Sequence, residues 1–358
     1  MSGGLPLSFA DAGLVTAVGG CYEQTATSIR AGISRLNLAW DHGEDSNDLL
    51  FCARVEDGFL PALTSKLTQV LADSPRTVRC LQLAQLALQD LAVDALDDVP
   101  LFLALPEPSE GLEPLLNDFP DMLEQQTGLR FSATHRQVYA YGQAGGLAAF
   151  HGARSLIEAG SAPRVLLGGV DSRSQARSLA CFRAQDRALR LEQAHGYVPG
   201  EGAGFLLIEA AGADSEVLIH EPGFAQQAPD AAETKPADPG QGSEAPGTAL
   251  GKAMAAAARN AGGDTVATLI SPLTGQVDQT NEWGDACTHL ADHISMTPFL
   301  THPCHLFGDL GAALAPVSVA LAAHGIKGSY LPAPVMVCSI SDGGQRAAAL
   351  VTSSADKA

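Results

Sequence analysis

The sequence predicts a layered α/β protein made of two similar halves, and two observations carry that expectation. A strand, a tight glycine turn and a long apolar helix occur twice, at 136–159 and at 299–325. Each half then closes on a glycine turn that feeds a strand, at 199–209 and at 342–351. Mixed helical and extended segments repeated in this way suggest sheets covered by helices, stacked α/β/α/β/α.

The elements follow in order. Residues 13–18 read as a short strand, and "CYEQTATSIRAGISRL", 21–36, as a helix ending near Gly32. Residues 37–58 are polar and irregular. The stretch 59–96 is helical in two pieces divided near Ser74–Pro75. "VPLFLALP", 99–106, is a continuous apolar run, hence a buried strand. Residues 111–128 read as a helix interrupted near Pro120. Next come strand 136–141, the turn Gly142–Gly146 and helix 145–159. Strand 163–172, helix 176–189 and strands within 199–212 and 216–224 complete the first stretch.

Residues 225–247 are rich in Pro, Gly, Ala and acids and read as a surface loop. Helix 248–263, strand and turn 266–276, helix 278–293, the second strand–turn–helix unit and a hairpin at 333–353 follow. The expected division is 1–212 and 213–358.

Composition narrows the function. The chain has 358 residues, 46% of them hydrophobic and 17% charged, which supports a sizeable core. The net charge of −19 has the wrong sign for nucleic acid or an anionic membrane. Seven scattered Cys with no CxxC pair, and a start with no signal-peptide pattern, predict a reduced, cytoplasmic protein. The apolar run 310–326 holds a Pro, a Ser and a His, so it reads as a core helix rather than a membrane span.

Several segments together resemble the β-ketoacyl synthase branch of the thiolase superfamily. "GLAAFHGARSLIEAGSAPRVLLGGVDS" looks like the family's nucleophile helix and the strand after it. "HGYVPGEGAGFLLIE" is similar to its glycine-rich "GEGAG" segment, "HLFGDLGAAL" to its second-histidine segment, and "SDGGQRAAALV" to its closing turn. The early "GLVTAVGGCYEQTATSIRAGISRL" fits the family's start, so the match runs along nearly the whole chain. The resemblance implies a thiolase-like five-layered α/β/α/β/α fold of two similar halves. It also implies a dimer through the strand before the nucleophile turn, here Gln137, Val138, Tyr139 and Tyr141.

The family condenses acyl groups with a Cys nucleophile, two His and a Lys. Carried over residue by residue, the nucleophile position falls on Gln143, the first His near Pro272 and the Lys on Leu300. Only the second His is matched, by His305. The closing-turn Asn falls on Arg346, and Ile340-Ser341-Asp342 replaces the gating Phe-Gly-Phe. An amide is neither basic nor ionisable near neutral pH, so Gln143 cannot serve as the acyl nucleophile. Within the family, Gln stands at this place in decarboxylating loading domains and in chain-length factors. The loading domains keep the His pair, which this chain lacks.

Other candidates have plainer readings. His305 alone in an apolar context is more often structural, and Cys304–His305 lacks a third group to orient a base. His302, Cys304 and His305 lack a distant fourth metal ligand. "PGEGAG" precedes a strand and has no following Lys, so it is a turn rather than a phosphate loop. Cys181 reads as a small buried apolar residue.

The expectation is therefore a pseudoenzyme with no catalytic residues, no cofactor and no metal, acting through a protein partner as a homo- or heterodimer. The leading reading is an adaptor or chaperone for a type VI secretion effector. The alternative is a chain-length-factor-like subunit of a ketosynthase heterodimer in polyketide, aryl-polyene or fatty-acid synthesis.

Overall fold

A computed structural model describes residues 4–40, 49–91, 96–109, 111–115, 117–191, 195–227 and 248–354. The N-terminal half opens with β1 (Leu7–Thr16), α1 (Tyr22–Arg30) and a hairpin of β2 (Leu36–Trp40) and β3 (Leu49–Ala53). Next come α2 (Ser65–Val70), α3 (Pro75–Gln89), β4 (Val99–Ala104), α4 (Phe119–Thr127) and β5 (Phe131–Tyr139). It ends with α5 (Gly145–Glu158), β6 (Arg164–Ser172), α6 (Ala176–Ala184) and β7 (Glu201–Ala210). The C-terminal half runs β8 (Val217–Ile219), β9 (Gly223–Gln226), α7 (Thr248–Asn260), β10 (Val266–Ile270) and α8 (Val277–His289). Then follow β11 (Ile294–Thr301), α9 (Cys304–Phe307), α10 (Leu314–Lys327), β12 (Val335–Ile340) and β13 (Gln345–Ser353).

Each half builds the same sheet. The N-terminal order is β5-β4-β6-β7-β1, and the C-terminal order is β11-β10-β12-β13-β9. In both, the second strand is parallel to its two neighbours, and the last three strands are antiparallel. The short β8 pairs with β1 on one side and β13 on the other, so the two sets join as one 11-stranded sheet.

Helices α5 and α10 lie in the middle. Leu147, Phe150, Leu314, Val317 and Leu321 share one core with Leu206 of β7 and with Val337 and Ala349 of the C-terminal hairpin. A second core sets α3 and α4 against the outer face of the N-terminal strands, and a third sets α7 and α8 against the C-terminal ones. That is the expected five-layer stack. A helix covered from both sides must be apolar all round, and α10 is buried from Leu314 through Ala323. Its Pro316 falls in the first turn, where amides have no intrahelical partner. Gly146 lets the two central helices close, since a Cβ there would sit 2.5 Å from Pro316 Cδ.

The structure corrects several sequence expectations. Strand β1 starts at Leu7, not near 13, because a register shift between Phe9 and Asp11 breaks the alternation that marks a strand. Residues 37–58 contain the β2–β3 hairpin instead of irregular chain. Pro120 does not interrupt a helix over 111–128; it stands in the first turn of α4, which begins at Phe119 and stops at left-handed Gly128. β5 starts at Phe131, five residues before the expected strand. The expected strand 216–224 is two strands, β8 and β9. Most of the loop expected at 225–247 lies outside the described residues.

Candidate functional site

The turn before α5 is a single 3-10 turn, Gly142–Ala144. Gly142 opens it at φ +57, a left-handed conformation that glycine adopts without strain. The C-terminal half repeats the device: Gly311, at φ +52, opens the 3-10 turn Gly311–Ala313 ahead of α10. The two turns touch across the middle layer.

Gln143 is buried, 3% exposed, and both ends of its amide are engaged. Its Nε2 donates to Asp309 Oδ1 at 3.0 Å, and its Oε1 accepts from the Ile340 amide at 3.1 Å. Neither partner is a Cys, a His or a Lys. The next residue, Ala144, donates its amide to Ser341 Oγ at 2.9 Å, and that hydroxyl donates to the Tyr141 carbonyl at 2.5 Å. The turn is thus clamped to the end of β12.

Asp309 opens a buried ionic chain. Gly311 N donates to its Oδ1 at 2.8 Å, and Arg173 Nη1 to its Oδ2 at 2.9 Å. Arg173 also reaches the Tyr197 hydroxyl at 2.7 Å and Asp171 Oδ2 at 3.0 Å. Arg76 Nη2 donates to the other Asp171 oxygen at 2.6 Å. Burial pushes the Asp171 carboxyl up, but the Arg76 and Arg173 charges and hydrogen bonds outweigh it and hold it below the usual carboxylate range. Alongside, Glu201 accepts from Val55 N at 2.8 Å, Ser172 Oγ at 2.8 Å and Ser174 Oγ at 2.6 Å, and pairs with Arg79 at 2.5 Å.

The candidate residues scatter. Pro272 is buried between β10 and α8. Leu300 lies on β11 and is 49% exposed. His305 is exposed on α9, stacked on His302 with ring centroids 5.3 Å apart. His302 in turn meets Ser271 Oγ at 2.6 Å. The side chain that bonds to Gln143 is that of Asp309, four positions beyond His305. Cys304 is buried, and burial pushes its thiol well above the ordinary value. Among the described residues, no three His, Cys, Asp or Glu side chains converge as a metal site. Gln137, Val138 and Tyr139 do share β5, which among the described residues pairs only with β4 and ends the sheet; Tyr141, just beyond, is 46% exposed.

Sequence reasoning missed Asp309, Arg173, Asp171, Arg76, Arg79 and Glu201. One signal was available: charged residues embedded in apolar strand contexts, "GGVDSRS" and "PGEGAGFLL", are rarely buried without partners.

This geometry can be set beside known proteins. The family model "Beta-ketoacyl synthase, N-terminal domain" matches residues 142–213. Among solved structures, a ketosynthase in complex with its chain length factor from Xenorhabdus doucetiae aligns with a TM-score of 0.74 at 14% identity, covering 98% of each chain. The fold is that of the ketosynthases. The ishigamide ketosynthase/chain length factor aligns at TM-score 0.64 and 20% identity, over 98% of this chain and 99% of that one. A β-ketoacyl synthase from Burkholderia phymatum aligns at TM-score 0.68 and 17% identity, over 98% and 99%. No curated protein matches. Among the described residues of this ketosynthase-like chain, no helix is long and apolar enough to cross a membrane.

Proposed function

We propose that the protein is a non-condensing ketosynthase-like subunit that works by pairing with another protein, in the manner of a chain length factor beside an active ketosynthase. The observation that carries this reading is Gln143. It stands in the turn ahead of α5, where the resemblance puts the nucleophile, and it is buried with both amide ends bonded. An amide held this way offers no electron pair for attack on a thioester and takes no proton near neutral pH.

Two of the similar solved structures are ketosynthase and chain length factor assemblies, which supports a protein partner of this kind. The open edge of β5, continued by exposed Tyr141, offers the partner a strand to pair with. The adaptor reading, with a secretion effector as the partner, rests on the same Gln143 and gains no support from the similar structures.

Affinity purification from the native host at endogenous levels, with mass spectrometry, separates the two. A ketosynthase or acyl carrier protein in the eluate is the expected result. A secreted toxin or spike component instead would establish the adaptor reading. Condensation of acyl and malonyl thioesters by the isolated protein would overturn both.

A further inference from the structure

A cavity of about 420 Å³ opens at the end of β1. The loop from β1 into α1, Arg35, the chain just after β3 and Leu86 of α3 meet around it. Its size lies within the ~300–1,000 Å³ of ordinary small-molecule pockets. Neither residue bonded to the Gln143 amide lines it, so it is a different site from the one above.

The walls are fixed from behind. Thr16 and Gly19 exchange backbone hydrogen bonds at 2.9 and 3.2 Å, which closes the loop between β1 and α1. Val55 N donates to buried Glu201 at 2.8 Å, and Arg79 Nη2 donates to the Val55 carbonyl. Arg79 also pairs with Asp57, the first residue of the 3-10 turn Asp57–Phe59. Arg35 N donates to the Leu306 carbonyl at 3.0 Å. A cavity already held in shape costs little ordering when a ligand enters.

Two kinds of group line the cavity. Val15 and Val55 are buried, Leu86 is half-buried, and Phe59 is 67% exposed. An exposed Phe beside buried apolar groups is surface that an apolar ligand body can cover. The polar lining is Arg35, Glu56 and Gln24, all exposed. Arg35 and Glu56 carry opposite charges into one cavity. Yet they form no ion pair with each other or, among the described residues, with any other side chain. Gln24 accepts from Gly20 N through Oε1 at 3.1 Å, which leaves its amide NH2 to donate.

We propose that this cavity binds a small zwitterion with an apolar body, an apolar amino acid or a dipeptide of such residues. Its carboxylate meets Arg35 and the Gln24 amide, its ammonium meets Glu56, and its apolar part lies on Val15, Val55 and Phe59. A purely anionic ligand would set its charge against Glu56, and a purely cationic one against Arg35; a zwitterion satisfies both. The inference does not rest on the pairing proposed at β5 and holds whatever occupies that edge.

The test is calorimetric titration of the full chain with L-phenylalanine and with leucyl-phenylalanine. At least one should bind saturably, and the tighter one says whether the occupant is a free amino acid or a dipeptide. Acetylating the amine of that ligand, or amidating its carboxyl, should each weaken binding about tenfold or more. Arg35→Gln should weaken the parent ligand about tenfold and leave the amidated form unchanged, since that form lacks the charge Arg35 meets. Glu56→Gln should weaken the parent and leave the acetylated form unchanged. Both positions are exposed, so the variants keep the fold; circular dichroism verifies this. No saturable binding of either ligand, blocked forms that bind as tightly as the parent, or affinity indifferent to Arg35 and Glu56 would each overturn the proposal.

Discussion

The two halves share a frame but place opposite charges on it. In the N-terminal half the first residue of β7, Glu201, meets Arg79 of the outer helix α3 at 2.5 Å. In the C-terminal half the second residue of β13, Arg346, meets Glu282 of the outer helix α8, at 2.5 and 3.0 Å. The acid is on the strand in one half and on the helix in the other. The turns differ too. Gly142 faces Glu107, whereas Gly311 faces Asp171, a carboxylate locked between two arginines. The repeated strand order therefore constrains where a buried ion pair can sit, not its polarity or how many partners it gathers.

The largest expected effect breaks the turn comparison. A Cβ on Gly311 would lie 1.9 Å from Asp171 Oδ2, whereas one on Gly142 would lie 2.8 Å from Glu107 Oε1. Both positions have positive φ, so Ala is strained at either. Gly311→Ala should cost more than about 4 kcal/mol, beyond the common range for single substitutions, and abolish soluble expression. Gly142→Ala should cost clearly less, as measured by urea unfolding.

Next comes the ion-pair comparison. Glu201→Ala takes the buried carboxylate from Arg79, which keeps Asp57 and the Val55 carbonyl, and leaves the Val55 amide and the Ser172 and Ser174 hydroxyls unmet; it should cost about 3–5 kcal/mol. The swap Arg346→Glu with Glu282→Arg should regain much of what Arg346→Glu alone loses. The swap Arg79→Glu with Glu201→Arg should regain little, because Glu201 also accepts from Val55 N and two hydroxyls, which arginine cannot do. Equal rescue in the two halves, in double-mutant cycles, would refute the asymmetry.

A smaller effect is expected at Gln143. Gln143→Ala leaves the Ile340 amide and one Asp309 contact unmet, for a loss of about 1–3 kcal/mol. The melting temperature should fall without any condensing activity appearing.

The smallest effect is on the acid limb of stability. Asp171 is held below its unfolded value, so it contributes stability above the unfolded carboxylate range and loses it as pH falls through its folded value. Glu107 opposes this: burial and Asp342 hold it above its ordinary value, so it costs stability as pH rises and less as pH falls. Asp171→Asn should flatten the acid limb of an unfolding-midpoint profile, and Glu107→Gln should steepen it.

Much of the fold was legible because it rests on periodic patterns. The two strand–turn–helix units, the apolar run of α10 and the closing hairpin follow from alternation and apolar spacing, which are local. The β1 bulge, the β2–β3 hairpin and Pro120 at the start of α4 were not legible, since each depends on a bulge, a pairing or a cap. Gln143 could be picked out from its place in "YGQAGG". Its environment could not. By the resemblance His305 matches the family's second His; in the structure the side chain that bonds to Gln143 is that of Asp309, and Leu300 and His305 are exposed. Side-chain direction after a tight turn depends on φ at Gly308 and Gly311, which residue order does not reveal. The layers and the amide at the turn can be read from residue order, because burial patterns and residue chemistry are written one position at a time. Which charges line up behind Gln143 cannot, because Arg76, the Asp171–Arg173 pair and Asp309 lie far apart in the chain and meet only in the folded molecule.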